Sequence, residues 1–116
     1  MRDRSELTLR KQSDFSRVYK KGSSRGSRYM VMLYRENRLG YTRTAFVASK
    51  KVGNAVTRNR ARRLMKEAYR ILKADIVTGY DIIFVARNTI AECREEEVEK
   101  VMRTALAGEK LLARHQ

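Results

Sequence analysis

The segment from Asn54 to Lys73 constrains the fold more than any other part of this chain, because it is typical of one long amphipathic helix. At about 100° per residue, its apolar side chains fall on one arc of the helix and its basic side chains on the opposite arc. Asn54 has a side chain suited to capping the first turn. The apolar arc, which we expect to pack against a sheet, consists of Ala61, Leu64, Met65, Ala68, Ile71 and Leu72.

The opposite arc of this helix is strongly basic. Arg58 and Arg60 lie on its two margins at the N-terminal end, where backbone amides and the helix dipole also favour anions. A solvated charged face is one interpretation, but only Glu67 offsets the cations, and basic residues four positions apart repel each other. A face that costs folding free energy favours the alternative, which is polyphosphate binding. The arc comprises Asn59, Arg62, Arg63, Lys66, Arg70 and Lys73.

The charge of the whole chain indicates the same kind of partner. The 116 residues fit one domain, 1–116, and carry 27 basic against 13 acidic side chains, for a net charge of +14. The excess lies in residues 1–73, whereas residues 74–116 are slightly acidic. Nucleic acid is the usual polyanion that offsets such repulsion, and an anionic membrane surface is the rival. No segment pairs this charge with a large exposed apolar face, which favours nucleic acid over a membrane.

The sequence also predicts a cytoplasmic location. Cys93 is the only cysteine, so no intrachain disulfide can form and a reducing compartment is expected. The longest apolar run, 82–86, is far shorter than the roughly 20 residues that a membrane span needs. The start of the chain carries no apolar stretch typical of a secretory signal, so no cleaved signal is expected.

The remaining segments predict an α+β sandwich, in which one sheet packs with helices. A short helix is expected between Ser13, as its N-cap, and Gly22, just past its end. Thr89 and Glu92 have the spacing of a capping box that opens a last helix, and Gly108 is expected to end it before a frayed tail. Strands are expected at 29–35, 42–49 and 80–87, with a turn or short edge strand at 23–27.

No combination of residues in the sequence is typical of a catalytic centre. His115, the only histidine, lies in the expected tail, and Cys93 is expected to be inert in the first turns of the last helix. One histidine and one cysteine are too few for a structural zinc site. Five carboxylates suggest either a two-metal nuclease or a solvated acidic face, and their spread around the helix favours the solvated face. They are Glu92, Glu95, Glu96, Glu97 and Glu99.

Two aromatic residues of the first helix allow two interpretations. Phe15 and Tyr19 either join this helix to the sheet as core residues or stack on the bases of a single-stranded RNA. Basic neighbours favour stacking, and they are Arg17, Lys20 and Lys21. In the following strand, alternation places Met30, Met32 and Tyr34 on one face and Tyr29, Val31 and Leu33 on the other. A shift of one residue in register would exchange the two faces.

The run from Ser49 to Arg63, SKKVGNAVTRNRARR, strongly resembles the signature of the bacterial ribonuclease P protein family, centred on Arg58, Asn59 and Arg60. The resemblance extends to the early helix, the strands and the last helix, and Tyr19 replaces a phenylalanine often found in the family. It implies a single αβββαβα domain with a left-handed βαβ crossover, the reverse of the usual hand.

The resemblance also implies an activity and partners. The family's protein is an accessory subunit that binds a large catalytic RNA, and together they remove the 5′ leader of precursor transfer RNA. Magnesium is then expected in the assembled enzyme, bound mainly by RNA, and the protein alone is expected to be monomeric and inactive. No catalytic residue and no metal ligand is expected in the protein itself.

Two groups of site residues follow from the resemblance and the charge pattern. The catalytic RNA is expected to contact Arg58, Asn59, Arg60, Arg62, Arg63, Lys66 and Arg70. The leader of the precursor transfer RNA is expected to contact Phe15, Arg17, Tyr19, Lys20, Tyr34, Lys50 and Lys51. A different nucleic-acid-binding protein, such as a ribosomal protein, and a self-sufficient nuclease are the alternatives. The long 49–63 match disfavours the first, and the missing acid–base residues disfavour the second.

Overall fold

The computed structural model describes residues 8–113, and within this range the order of elements is αβββαβα, as expected. Two short 3-10 turns, Lys73–Asp75 and Asn88–Glu92, flank the fourth strand. The helices and strands are α1 (Gln12–Lys21), β1 (Ser23–Gly26), β2 (Met30–Glu36), β3 (Arg43–Val47), α2 (Ala55–Leu72), β4 (Tyr80–Ala86) and α3 (Glu95–Gly108).

The four strands form one mixed sheet in the order β1-β2-β4-β3. β2 runs antiparallel to β1 and to β4, and Met30 lies opposite Ala86. β3 runs parallel to β4, so β3, α2 and β4 form a βαβ crossover unit. β4 therefore lies between two strands that are consecutive along the chain.

The larger core lies between the sheet and the pair α2 and α3. β2 and β4 contribute Met30, Met32 and Phe84, all fully buried, and they pack against Met65 of α2 and Met102 of α3. The apolar arc expected for α2 is confirmed except at Ile71, which is 42% exposed. Ile71 lies at the margin of this arc when the helix is drawn at about 100° per residue, which explains its exposure.

The opposite face of the sheet carries α1 and a smaller apolar cluster. Val18 of α1 packs against Ala45 and Ile83, and Leu9 completes the buried part. Phe15 packs at the edge of the same cluster and is half-buried. The sheet is thus covered completely on one face and only partly on the other.

Several local boundaries differ from the sequence-based expectation. α1 begins at Gln12 with Lys11 as its N-cap, so Ser13 lies inside the helix. The capping box expected at Thr89 is wrong: α3 begins at Glu95, where the Arg94 N–H donates to Glu97 over 3.1 Å. Thr89 instead donates its hydroxyl to the Arg28 carbonyl.

The segment that follows α3 is held in place as far as the structure describes it. Leu111 is 1% exposed, and the Ala113 N–H donates to the Asp75 carbonyl over 2.6 Å. The expected frayed tail is therefore wrong for residues 109–113, and His115 lies outside the described residues. Between residues 8 and 113, no helix is both long and apolar enough to cross a membrane.

Candidate nucleic-acid interface

The outer face of α2 presents part of its basic arc to solvent. The Asn54 side chain accepts a hydrogen bond from the Thr57 N–H at 2.9 Å, which confirms the expected N-cap. Asn59, Arg63 and Lys66 are exposed. No acidic residue lies in the first turn of the helix, so the dipole adds to the positive potential there.

Two other arginines of this arc already donate hydrogen bonds within the protein. Arg70 donates to both carboxylate oxygens of Glu67, and this hydrogen bonding holds the pKa of Glu67 below its usual range. Arg62 donates to the Asn59 side chain and, over 3.4 Å, to the Ala48 carbonyl. Arg70 is therefore a weaker candidate for phosphate binding than Arg63 or Lys66.

Arg60 connects α2 to the segment that leads into α3. Its guanidinium donates to the Ala91 carbonyl at 2.6 Å and to the Cys93 carbonyl at 2.8 Å. Arg60 therefore contributes to folding as well as to the charge of the helix, because its loss would leave two carbonyls without their donor. Cys93 is buried between the 3-10 turn and α3, and this burial raises the pKa of its thiol.

Arg58 is half-buried at the margin of the same face. Its Nε is buried and has no hydrogen-bond partner within the described part of the chain. A buried donor without an acceptor costs free energy.

The face of the sheet that carries α1 is organised in three rows that cross the strands. The first row is apolar and half-exposed, and its members are Val31, Val85 and Val47. The second row lies under α1 and consists of Leu33, Ile83 and Ala45. The third row is polar and consists of Arg35, Asp81 and Arg43. We call the first row the valine strip and the third the polar row.

The aromatic pair of α1 lies beside the valine strip. The rings of Phe15 and Tyr19 stack with centroids 6.4 Å apart and an angle of 22° between their planes. Phe15 packs against the same small buried cluster as Val47 and Val85, whereas Tyr19 is 48% exposed and partial burial raises its pKa. Phe15 is thus a half-buried residue at the edge of the smaller core, and Tyr19 is the more exposed member of the pair.

Exposed lysines flank this apolar and aromatic surface. Lys50 and Lys51 lie in the loop that follows β3, just past the end of the valine strip, and Lys20 is exposed on α1. The structure therefore brings Phe15, Tyr19 and the lysine loop to one side of the sheet.

Two of the residues expected to contact the leader, Tyr34 and Arg17, do not lie on this surface. Tyr34 lies on the other face, where its ring packs with the larger core and its hydroxyl donates to Glu109, which raises the Tyr34 pKa. Arg17 lies about 200° around α1 from Phe15 and forms an ion pair with Asp14 at 3.5 Å. Neither residue adjoins the valine strip.

The expected position of Tyr29 is also wrong. Alternation along β2 predicted Tyr29 on the face that carries Val31, but Tyr29 is buried in the larger core. It precedes β2, which begins at Met30, so the alternation of the strand does not apply to it.

Sequence reasoning missed a buried ionic network at the polar row. Arg43 donates to Asp81 through Nε at 2.9 Å and Nη2 at 2.8 Å, and through Nη1 to Asp14 at 3.2 Å. The Asp81 carboxylate raises the pKa of Arg43. A lone carboxylate in the otherwise apolar strand 80–86 was the signal that could have revealed it, because a buried charge needs a partner.

No metal-binding cluster is present among residues 8–113: no three histidine, cysteine, aspartate or glutamate side chains lie close enough together. The glutamates of α3 instead form separate contacts. Glu97 accepts from the Arg94 backbone and the Tyr29 hydroxyl, and Glu99 pairs with Arg103 at 2.6 Å. These contacts agree with a solvated acidic face.

An α+β sandwich with a basic helix on one side and an aromatic, lysine-flanked strip on the other defines a protein of the RNA-binding class. The model of the family described as Ribonuclease P matches residues 4–109. The chain belongs to the ribonuclease P protein family.

Individual relatives agree with this assignment. The ribonuclease P protein component of Thermoanaerobacter sp. strain X514 is 41% identical over 110 residues, covering 95% of each chain. The solved RNase P protein of Staphylococcus aureus is 31% identical with a TM-score of 0.83, covering 91% of this chain and 97% of that one. The Thermotoga maritima RNase P protein is 29% identical with a TM-score of 0.75, covering 94% and 97%.

Proposed function

We propose that this protein is the accessory subunit of ribonuclease P and that it helps remove the 5′ leader of precursor transfer RNA. The observation that carries the proposal is the valine strip, which lies half-exposed beside the stacked Phe15 and Tyr19 and ends at Lys50 and Lys51. Aromatic rings framed by cations suit an unpaired RNA strand, because bases stack while the backbone is neutralised. Membership of the ribonuclease P family supports this assignment.

The outer face of α2 is the proposed contact with the catalytic RNA. Arg63, Lys66 and Asn59 carry this contact because they are exposed, and Arg58 adds positive charge at the half-buried margin of the same face. Arg62 contributes with part of its guanidinium. Arg60 holds the helix in place and Arg70 is neutralised by Glu67, so both have a smaller role than the sequence suggested.

Catalysis belongs to the RNA in this proposal. No three histidine, cysteine, aspartate or glutamate side chains among residues 8–113 lie close enough together to hold a metal ion, so the described residues do not fit the magnesium ions that the assembled enzyme is expected to need. The protein positions the substrate and neutralises phosphate charge, and the magnesium is assigned to the RNA.

A reconstitution assay tests the proposal. Purified protein and magnesium are mixed with precursor transfer RNA, with and without the catalytic RNA of a relative. We expect accurate release of the leader only when the RNA is present, with the protein lowering the substrate or salt concentration required. Leader removal by the protein alone would contradict the proposal, as would a protein that leaves the RNA-only reaction unchanged.

A binding assay separates this function from that of a general RNA-binding protein. Affinity is measured for precursor transfer RNA and for the mature form, both in complex with the catalytic RNA. Preference for the precursor supports a leader site, whereas equal affinities would favour an assembly role of the ribosomal-protein type.

A further inference from the structure

A recess of about 360 Å³ opens at the end of the sheet opposite the loop of Lys50 and Lys51. It lies on the far side of α1 from the valine strip, so none of the surfaces assigned above includes it. Its walls are formed by Arg17, Arg35, Glu36, Asn37, Arg38 and Asp81.

Three separate elements bring arginines to this recess. Arg17 comes from α1, Arg35 from the end of β2 and Arg38 from the turn between β2 and β3. Arg35 follows Leu33 by two residues, so alternation places it on the face that α1 covers. Within residues 8–113, Arg35 and Arg38 form no ion pair, and Arg17 has only Asp14, at 3.5 Å.

The carboxylates near the recess are already engaged. Asp81 accepts two hydrogen bonds from Arg43 and one from Asn37 at 2.9 Å, while Asp14 is shared between Arg43 and Arg17. Among the described residues, Glu36 is the one carboxylate left to offset Arg35 and Arg38. With the network included, the described arginines outnumber the described carboxylates by one, so a single negative charge would neutralise this part of the site.

The backbone at Arg38 supports a role for its side chain. Its φ is 62°, in the left-handed region, where glycine or asparagine is accommodated at lower cost than arginine. The turn needs no side chain at this position, since Asn37 supplies its hydrogen bonds to the Leu39 N–H and the Tyr41 carbonyl. Strain of this kind is concentrated at functional positions.

We propose that this recess binds one phosphodiester group of RNA through Arg17, Arg35 and Arg38. Guanidinium groups suit phosphate because their planar N–H donors match its oxygens in pairs. The inference rests on the proposed function only in taking RNA as the polyanion. Four residues of β2, about 13 Å, separate Val31 from Arg35, so an RNA strand that occupied both surfaces would pass over α1.

The test measures how affinity depends on salt for three variants. Arg35→Ala and Arg38→Gly each remove one recess cation, and Lys100→Ala removes one exposed cation on α3 as the matched control. The probes are precursor transfer RNA and the catalytic RNA, titrated separately. We expect the slope of log affinity against log salt to fall by about 0.7–0.9 for the RNA that supplies the phosphate, with little change in Lys100→Ala.

Arg38→Gly separates binding from folding. Glycine relieves the positive φ, so the urea midpoint of unfolding is expected to be unchanged or higher while RNA affinity falls. A variant that lost stability and affinity together would assign Arg38 to the turn and overturn its place in the site.

The remaining outcomes distinguish this inference from the proposed function. If Arg63→Ala lowers the salt slope while Arg35→Ala and Arg38→Gly behave like Lys100→Ala, the recess is not a phosphate site and the proposed function stands. If Arg63→Ala also leaves the slope unchanged for both RNAs, the α2 contact fails as well.

Discussion

At the scale of single residues, burial decides whether a charge stabilises the fold or binds a partner. Arg43 and Asp81 are both largely buried and share two hydrogen bonds, so their role is structural. Arg63 and Lys66 carry the same charge as Arg43 but lie exposed. Sequence alone distinguishes these cases poorly, because the partner of Arg43 is 38 residues away along the chain.

Removing Arg43 should destabilise the protein strongly. Arg43→Ala leaves the Asp81 carboxylate buried without its main partner, and breaking such a pair costs about 3–5 kcal/mol. Urea unfolding followed by circular dichroism measures the loss. Arg35→Ala, which removes a neighbouring arginine with no ion pair among residues 8–113, is the control and should cost far less. Equal losses in the two variants would contradict the structural role of the pair.

Removing the exposed ring of the aromatic pair should affect substrate binding alone. Tyr19 is about half-exposed, so Tyr19→Ala should change stability little while removing a stacking surface worth roughly 1–3 kcal/mol. Affinity for precursor transfer RNA should fall by about 5- to 150-fold, with mature transfer RNA unaffected. Tyr34→Phe is the control, because Tyr34 lies on the other face of the sheet. A precursor-to-mature ratio that stays constant in Tyr19→Ala would remove this ring from the leader site.

At the scale of elements, α2 both builds the core and presents basic side chains, and its sequence pattern does not show which basic residues serve the fold. Its apolar arc builds the core and its basic arc is partly exposed, as the spacing predicts. The pattern could not show that Arg60 donates to two carbonyls in the segment before α3. Those acceptors belong to the backbone of a segment about 30 residues away along the chain. The same limit applies to Thr89, whose capping spacing is genuine but whose hydroxyl finds the Arg28 carbonyl instead.

Neighbouring arginines of α2 should therefore respond oppositely to alanine substitution. Arg60→Ala should lower the free energy of unfolding, because a hydrogen bond from a charged donor contributes about 1.5–3 kcal/mol. Arg63→Ala should leave it unchanged or raise it slightly, since like charges on the helix repel. The salt slope for catalytic RNA should fall in Arg63→Ala by about 0.7–0.9. Chemical denaturation and filter binding on both variants decide the assignment.

The end of α3 is tied to the sheet in a pH-dependent way. Glu109 accepts hydrogen bonds from Tyr34 and Arg25, and these hold its pKa below the usual range. Because the folded-state pKa is lowered, the stabilisation is present above the ordinary glutamate pKa of about 4.3 and disappears as the pH falls through the folded value. Wild type should therefore melt above Glu109→Gln at pH 7, and the gap should close in acid. A constant gap down to pH 3 would contradict this, and the exposed Glu96→Gln serves as the control.

At the scale of the whole molecule, the two faces of the sheet differ in how far helices cover them. One face is fully covered by α2 and α3, and the other is only partly covered by α1. The sequence predicted the order of the elements and the basic helix, because periodicity and charge are local properties. It could not place Tyr34 and Arg17 on the correct sides, because those positions depend on strand register and on where α1 crosses the sheet.

The central position of β4 governs the order in which the protein can form during synthesis. β2 and β3 follow each other along the chain but are not paired, because β4 lies between them. A nascent chain that ends before Tyr80 can form the β1–β2 hairpin and a nascent α2, yet it lacks the strand to which β2 and β3 both bond. Cooperative folding must therefore wait until residue 86 has left the ribosome. Since the chain contains no proline, no prolyl isomerisation delays the steps that follow.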